Sequence, residues 1–308
     1  MSTPEGFRSG FACFVGRPNA GKSTLTNALV GGKIAITSSR PQTTRHAIRG
    51  LVNRENAQLV LVDTPGLHKP RTLLGQRLND LVRTTWAEVD TVGMCLPANE
   101  KIGPGDRYLI KEIAALRRKP VFAIATKTDL VSPERLIQHL SDIAAAGEEA
   151  GLTWREVVPV SAVSGEQVDL LASLLIDTLP QGPALYPEGQ LTDEPEATLI
   201  AEIIREAALE DVREELPHSL AVVVEEVVPR EDRPADRPLL DVRANVYVER
   251  DSQKGIIIGK KGARLKQIGI DSRGQIERLL GTPVHLDLHV KVAKDWQRDP
   301  KQLRKLGF

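Results

Sequence analysis

The stretch Gly16-Arg17-Pro18-Asn19-Ala20-Gly21-Lys22-Ser23 satisfies the pattern G-x-x-x-x-G-K-[ST] in full. Each fixed position of that pattern has a chemical reason. The glycines let the backbone curl until successive N–H groups face phosphate oxygens, and a helix beginning near Lys22 adds its positive end. Lys22 can reach the β- and γ-phosphates of a bound nucleotide. Ser23 offers a hydroxyl to Mg2+, a hard ion that prefers oxygen, and Thr24 completes the same site. In Asp63-Thr64-Pro65-Gly66 the carboxylate can hold Mg2+ through a water, and the Gly66 amide can sense a γ-phosphate. Between the two stretches lies Pro41-Gln42-Thr43-Thr44-Arg45-His46. A loop threonine there can ligate Mg2+ only while a γ-phosphate is present; Thr44 is favoured, with Thr43 the alternative. Lys22, Thr44 and Gly66 are thus the candidate catalytic positions.

These groups need elements to hold them, and the chain of 308 residues, 41% apolar and 27% charged, is long enough for two ordinary domains. Short apolar runs at Phe11 to Val15, Leu59 to Val62, Thr91 to Leu96, Val121 to Ala125 and Val157 to Val160 alternate with helical patterns. That rhythm predicts a mostly parallel α/β sheet, whose strands read as unbroken apolar runs and whose carboxyl ends collect ligands. The motifs follow the runs. Around Pro180 to Pro195 the pattern breaks into prolines and glycines, which reads as a linker. Beyond it a helix is expected from Glu196 to about Glu215. Strands follow near Leu220 to Val228 and Asp241 to Val248, then helical stretches from Gly255 to Leu280 and a strand at Val284 to Val290. The division is therefore 1–180, a linker at 181–195, and 196–308.

Net charge is zero, yet it is polarised: residues 196–250 hold fourteen acidic and seven basic side chains, and residues 254–308 hold five and thirteen. A second anion site is expected in that last stretch. Cys13 and Cys95 sit in apolar runs and suggest no disulfide. No stretch approaches the length of a membrane span, which makes the cytosol the default compartment, with a peripheral inner-membrane pool left open.

Thr126-Lys127-Thr128-Asp129 and Ser161-Ala162 follow the fourth and fifth runs. They resemble the guanine-reading motifs of the Ras-like GTPase superfamily, in which the Asp accepts hydrogen bonds from the ring N–H and exocyclic amine of guanine. Adenine cannot supply that pair. The family motif usually begins with Asn where this chain has Thr126, so the resemblance implies a lost amide and several-fold weaker affinity. Leu67 stands where Ras-like enzymes carry the Gln that orients water, which implies slow intrinsic hydrolysis. With Pro18-Asn19, the Thr43-Thr44 segment, Asp63 to His68 and Ser161-Ala162-Val163-Ser164-Gly165, the chain resembles the bacterial Era GTPase family over essentially its whole length. The resemblance implies that Asn19 ligates K+ as an aid to hydrolysis. His68 reads as a solvated loop residue.

Gly259-Lys260-Lys261-Gly262 is a G-x-x-G loop between an apolar turn and a long helical pattern, with a strand before and a strand after. That order resembles a K-homology domain of the bacterial type, as in Era-like proteins. The resemblance implies a loop that clamps single-stranded RNA, with Lys260 and Lys261 on phosphates, Ile256 to Ile258 beneath the bases, and Arg264 and Lys266 extending the track. Arg273 and the basic end from Lys291 to Lys305 could lengthen it; aromatic residues are few, with Tyr247 and Trp296 the main candidates, so stacking is not expected to be the dominant contact. His285 and His289 read as strand residues and not as metal ligands. The fold class is thus a Ras-like α/β P-loop GTPase domain followed by an α+β type II KH domain. The implied role is a Mg2+-dependent GTP/GDP switch, monomeric, acting on 16S rRNA near its 3′ end during 30S subunit assembly. A membrane-associated signalling scaffold, with the basic tail on anionic lipid, is the alternative.

Overall fold

The computed structural model describes residues 6–37, 43–67, 70–116, 119–210, 216–231, 233 and 237–308. It divides into two compact units. The first is Met1–Thr37, Thr44–Lys69 and Leu78–Asp193; the second is Ser38–Thr43, Pro70–Arg77 and Glu194–Phe308.

The chain first lays down β1 (Arg8–Val15), α1 (Lys22–Val30), β2 (Ile48–Arg54), β3 (Ala57–Asp63), α2 (Leu73–Glu88), β4 (Thr91–Pro97) and α3 (Pro104–Ala114). It continues with β5 (Val121–Thr126), α4 (Pro133–Glu149), β6 (Val157–Pro159) and α5 (Val168–Ile176). The six strands form one sheet in the order β2-β3-β1-β4-β5-β6, parallel except for β2, which runs antiparallel to β3. Successive residues of β1 explain its unbroken apolar run. Ala12 and Phe14 face the cluster holding Leu25 and Leu29 of α1 and Leu171 and Leu175 of α5, while Cys13 and Val15 face the one holding Trp86, Ile110 and Ile143. A strand covered on both faces has no polar side to show.

Strand β2 lacks the unbroken apolar run of the others, because Arg49, Gly50, Asn53 and Arg54 interrupt its apolar residues. It is a sheet edge, and the proline-rich linker covers it. Leu51 N–H donates to the Leu191 carbonyl at 2.8 Å, Gly50 pairs antiparallel with Thr192, and the Gln58 side chain accepts from the N–H groups of Leu185 and Tyr186 at 2.7 and 2.8 Å. An exposed edge would invite pairing with another chain, and this strap closes it.

The second unit contains α6 (Glu196–Leu209), α7 (Leu216–Ser219), β7 (Ala221–Pro229), β8 (Leu240–Val248), α8 (Asp251–Ile258), α9 (Ala263–Leu280), β9 (Val284–Val292) and α10 (Pro300–Lys305). Its sheet runs β7-β8-β9, antiparallel then parallel, so β9 is an edge. Val242, Ala244, Val246 and Val248 alternate into a core with Ile204 of α6, Ile257 of α8 and Ile268 and Ile276 of α9. The helix expected to reach Glu215 is seen through Leu209, and residues 211–215 lie outside the described ones. The apolar turn expected before Gly259 is instead helix α8, whose Ile257 is buried in the core.

The two aromatic candidates are both enclosed. Trp296 is fully buried, donates Nε1–H to the Ser219 carbonyl at 2.9 Å and stacks on Phe308 with centroids 5.5 Å apart. Tyr247 is also buried. Neither ring offers a face to a nucleobase. Trp296→Ala is expected to cost the second unit about 3–5 kcal/mol, read as an earlier transition in denaturant titration of the full chain.

Candidate functional site

The loop between β1 and α1 can turn only because its residues tolerate unusual backbone. Asn19 has φ 64° and Gly21, the residue before α1, has φ 89°. A Cβ on Gly16 would stand 2.8 Å from the Cys95 carbonyl oxygen of β4, so any larger residue would push the loop off the sheet. Cys95 is buried, which pushes its thiol up to about 12 and leaves it inert. The curled loop turns its carbonyls onto Lys22, whose Nζ donates to Gly16 O at 3.2 Å and Arg17 O at 3.1 Å. Burial lowers the pKa of Lys22, and the Asp63 carboxylate acts against that shift. Gly66 closes the far side: a Cβ there would lie 3.1 Å from the Pro18 nitrogen and 3.4 Å from Lys22 Nζ.

Three hard oxygens meet beside this ammonium. Ser23 Oγ donates to Asp63 Oδ2 at 2.7 Å, and Thr44 Oγ1 lies 3.0 Å from Ser23 Oγ and 3.3 Å from the same carboxylate oxygen. Two hydroxyls and a buried carboxylate are the donor chemistry that Mg2+ takes, with phosphate and water oxygens completing its shell. Thr44 is thus the threonine brought to the cluster. Thr43 belongs to the second unit, where its carbonyl accepts from Arg205, a buried side chain paired with Glu202. Thr64 and Pro65 are buried behind Asp63, and Leu67 packs against the apolar cluster of that sheet face. Pro41, Gln42 and His68 lie outside the described residues.

The other end of the site is built on β5 and β6. Thr126 is buried and donates Oγ1–H to the Ala20 carbonyl at 2.7 Å, tying β5 to the phosphate loop. The hydroxyl in place of the usual amide therefore has a task. Lys127, at φ 59°, turns the chain so that Asp129 emerges exposed, and Ser161 Oγ donates to Asp129 Oδ1 at 2.7 Å. The Ser164 N–H in turn donates to Ser161 Oγ, and Ala162 packs on the core beneath. Asp129 is held in place by its neighbours.

Arg17 belongs to the loop through its backbone. Its side chain leaves the phosphate loop and pairs with Asp106 at 2.8 Å and Glu100 at 2.8 Å, so only its backbone can serve a phosphate. Asp106 is buried at the start of α3 and also accepts from the Gly103 N–H at 2.9 Å. A Cβ on Gly105 would sit 2.9 Å from Arg17 Cδ. The sequence held this link only as Gly103-Pro104-Gly105-Asp106, a helix start with no mark of its partner.

In the second unit, α8 ends on Gly259 and α9 begins after Gly262. Gly259 has φ 70°, and a Cβ on it would stand 2.7 Å from Arg264 Cβ. Lys261 and Gly262 also have positive φ, at 52° and 79°. This turn leaves Lys260 and Lys261 exposed at its tip. Ile256 is half exposed and Ile258 half-buried, whereas Ile257 belongs to the core. Arg264 donates to the Glu210 carbonyl at 2.6 Å, so it braces the loop. Lys266 opens onto a groove of about 540 Å3 between α9 and the edge strand β9, floored by Leu265, Gly269, Ile270, Leu286 and Leu288. The groove was not legible, because its two walls are separated in sequence by the rest of α9.

A family described as "50S ribosome-binding GTPase" matches residues 11–127, and one described as "KH domain" matches residues 215–297. The chain is 74% identical to the GTPase Era of Streptomyces coelicolor over 301 residues, covering 98% of this chain and 95% of that one. It is 64% identical to the GTPase Era of Mycolicibacterium smegmatis over 304 residues, covering 98% and 99%. Among solved structures, Era in complex with MgGDPNP and nucleotides 1506–1542 of 16S ribosomal RNA matches with a TM-score of 0.91 at 37% identity, covering 98% of this chain and 99% of that one. An Aquifex aeolicus Era variant bound to GDP and AlF4− matches equally well, with a TM-score of 0.91 at 36% identity and the same coverage.

The Thr126 tether gives a direct test. Thr126→Val keeps the shape, removes the donor and strands a buried carbonyl, so the first unit is expected to lose about 1–3 kcal/mol in thermal or denaturant unfolding.

Proposed function

The chain belongs to the Era GTPase family, and on that premise we propose that it is a slowly hydrolysing GTP switch. Its second unit binds 16S rRNA near the 3′ end and serves 30S subunit assembly. The carrying observation is the convergence of Ser23, Thr44 and Asp63 beside the buried Lys22. That cluster would be needless polar burial if no metal phosphate came to it. The GTPase domain is placed at 1–180, the connecting segment at 181–195 and the KH domain at 196–308. The relatives of known structure hold guanine nucleotide and, in one case, rRNA, so the lipid-scaffold reading is set aside.

In this reading the backbone from Gly16 to Thr24 wraps the phosphates, and Lys22 places its charge on the β- and γ-oxygens. Ser23, Thr44 and Asp63 would hold Mg2+, which when bound offsets charge on those oxygens. Gly66 offers its amide to the γ-phosphate, and loss of that phosphate releases Thr44 and Gly66 from their positions. Asp129 takes the two guanine donors, flanked by Lys127 and braced by Ser161 and Ala162. Leu67 is apolar and packed, so it cannot orient the attacking water, and intrinsic turnover is slow. Asn19 is assigned to K+, whose charge near the transferring phosphoryl group would substitute for an arginine finger.

In the KH domain, Gly259 to Gly262 let a sugar-phosphate chain approach, and Lys260 and Lys261 neutralise it. Ile256, Ile258 and the apolar floor near Lys266 meet the bases. The protein is taken to act as a cytoplasmic monomer, with 30S subunits as its working partner.

Phosphate release from GTP is expected to be faster in KCl than in NaCl, with the difference abolished in Asn19→Ala; equal rates in both salts would remove the K+ assignment. By fluorescence anisotropy, RNA carrying the 1506–1542 sequence is expected to bind more tightly with a non-hydrolysable GTP analogue than with GDP. A Lys260→Ala/Lys261→Ala variant should lose about tenfold or more. Equal binding in both nucleotide states would leave a GTPase and an RNA clamp but no switch.

A further inference from the structure

The segment between β4 and α3 gives the Arg17 side chain its seat. Nε donates to Asp106 Oδ1 and Nη2 to Glu100 Oε2, both at 2.8 Å. The two acceptors lie on either side of Gly103 and Pro104, and a guanidinium reaches both because its donors stand in one rigid plane. Asp106 is buried and divided between two tasks: Oδ1 faces Arg17, while Oδ2 accepts from the Gly103 N–H at 2.9 Å and closes the first turn of α3. Gly105 keeps the path open, since a Cβ there would meet Arg17 Cδ at 2.9 Å.

That segment is itself anchored to its neighbours in the sheet. The Ala98 N–H donates to the Thr126 carbonyl at 2.8 Å, and Arg135 of α4 donates Nη2 to the Asn99 carbonyl at 2.8 Å. Thr126 also fastens the Ala20 carbonyl through its hydroxyl. The phosphate loop is therefore held at Arg17 and again at Ala20, with Pro18 and Asn19 strung between the two holds and Asn19 at φ 64°. The peptide that opens this span faces Gly66, where a Cβ would lie 3.1 Å from the Pro18 nitrogen.

We infer that Arg17, seated on Asp106 and Glu100, is a positioning residue for GTP hydrolysis that fixes the spacing of the Arg17–Pro18 peptide to Gly66 and so the fit of the γ-phosphate. The inference rests on the reading of Lys22 and Gly66 as γ-phosphate contacts and deepens it. Two features separate this pair from a surface brace. Asp106 is 1% exposed, so its attraction to Arg17 is screened far less than that of an exposed pair. Lys22 holds the same peptide through the Arg17 carbonyl at 3.1 Å, but a lysine that turns to phosphate oxygens yields that hold, whereas the side-chain pair points away from the phosphates. The consequence is selective. The start of α1 wraps the β-phosphate from the other side of Gly21, so a shift at Pro18 falls on the γ-phosphate first.

The test measures kcat and KM for GTP with the full chain and Mg2+, and the Kd of fluorescent derivatives of GDP and of a non-hydrolysable GTP analogue. Asp106→Asn is the sharpest variant, because it keeps the shape but has one acceptor oxygen for two donors, Arg17 Nε and the Gly103 N–H. It is expected to lower kcat roughly tenfold and to weaken the GTP analogue, with GDP affinity left at the wild-type value. Arg17→Gln should do the same, and the double variant should be no worse than the poorer single one, because both remove one hold. Should Arg17→Gln fail to fold by stranding a buried carboxylate, the double variant removes that charge, and GDP binding reports that its site is formed. Wild-type kcat in Asp106→Asn would overturn the inference, as would additive losses in the double variant, which would mean that the two residues act separately. Equal losses of GDP affinity and turnover would also overturn it, by making the pair a prop for the whole unit. A wild-type chain that binds GDP but does not hydrolyse GTP would remove the switch reading itself, and this inference with it.

Discussion

A buried ammonium is the constraint from which the nucleotide site follows. Lys22 is 7% exposed, and an unpaired charge at that depth would cost several kcal/mol. Its acceptors are the Gly16 and Arg17 carbonyls, and those carbonyls turn inward only if the loop between them curls. Curling demands a residue without a side chain at Gly16, against the Cys95 carbonyl, and positive φ at Asn19 and Gly21. Once curled, the loop turns its N–H groups outward, where a phosphate can take them. Pieces distant in sequence then hold the curl: Thr126 fastens the Ala20 carbonyl, and Asp106 with Glu100 draws the Arg17 side chain away.

The sheet supplies the frame for that arrangement. Asp63, Thr126 and Cys95 stand at or near the carboxyl ends of β3, β5 and β4, so a parallel sheet brings them to the phosphate loop without long connections. Thr44 arrives differently, from the segment preceding the antiparallel edge strand β2. That edge is pinned by Gly50 to Thr192 and Leu51 to Leu191, with Arg49 and Tyr186 both on Asp193, while Gln58 of the neighbouring β3 holds Leu185 and Tyr186. The prolines and glycines read as a linker thus form a fitted strap in the first unit.

Legibility followed the kind of signal each residue carries. Apolar strands buried on both faces show as runs, and phosphate loops show as glycines at fixed spacing beside Lys and Ser, because local backbone geometry imposes both. Strand β2 did not show: its pairing satisfies backbone groups and asks little of its side chains. The Arg17 pair with Asp106 was hidden for a related reason, since an ion pair between residues far apart in the chain leaves no spacing to read. Trp296 is a case where type and place in the sequence point one way and packing another. An aromatic residue in a basic tail looks available for stacking, but the indole finds its own acceptor at Ser219 and a partner ring at Phe308.

Both units carry the same backbone device, a turn of positive-φ residues feeding the start of a helix, yet the two turns differ in burial. Around Lys22 the turn is pressed onto the sheet, where a phosphate entering it would leave water and meet a buried charge and fixed amides. Around Lys260 and Lys261 the turn stands in solvent, where each contact is screened by salt and exchanged easily. An exposed turn gains grip by adding contacts along a strand and not by deepening one. The depth of burial, more than the motif, sets how tightly either turn could hold a phosphate.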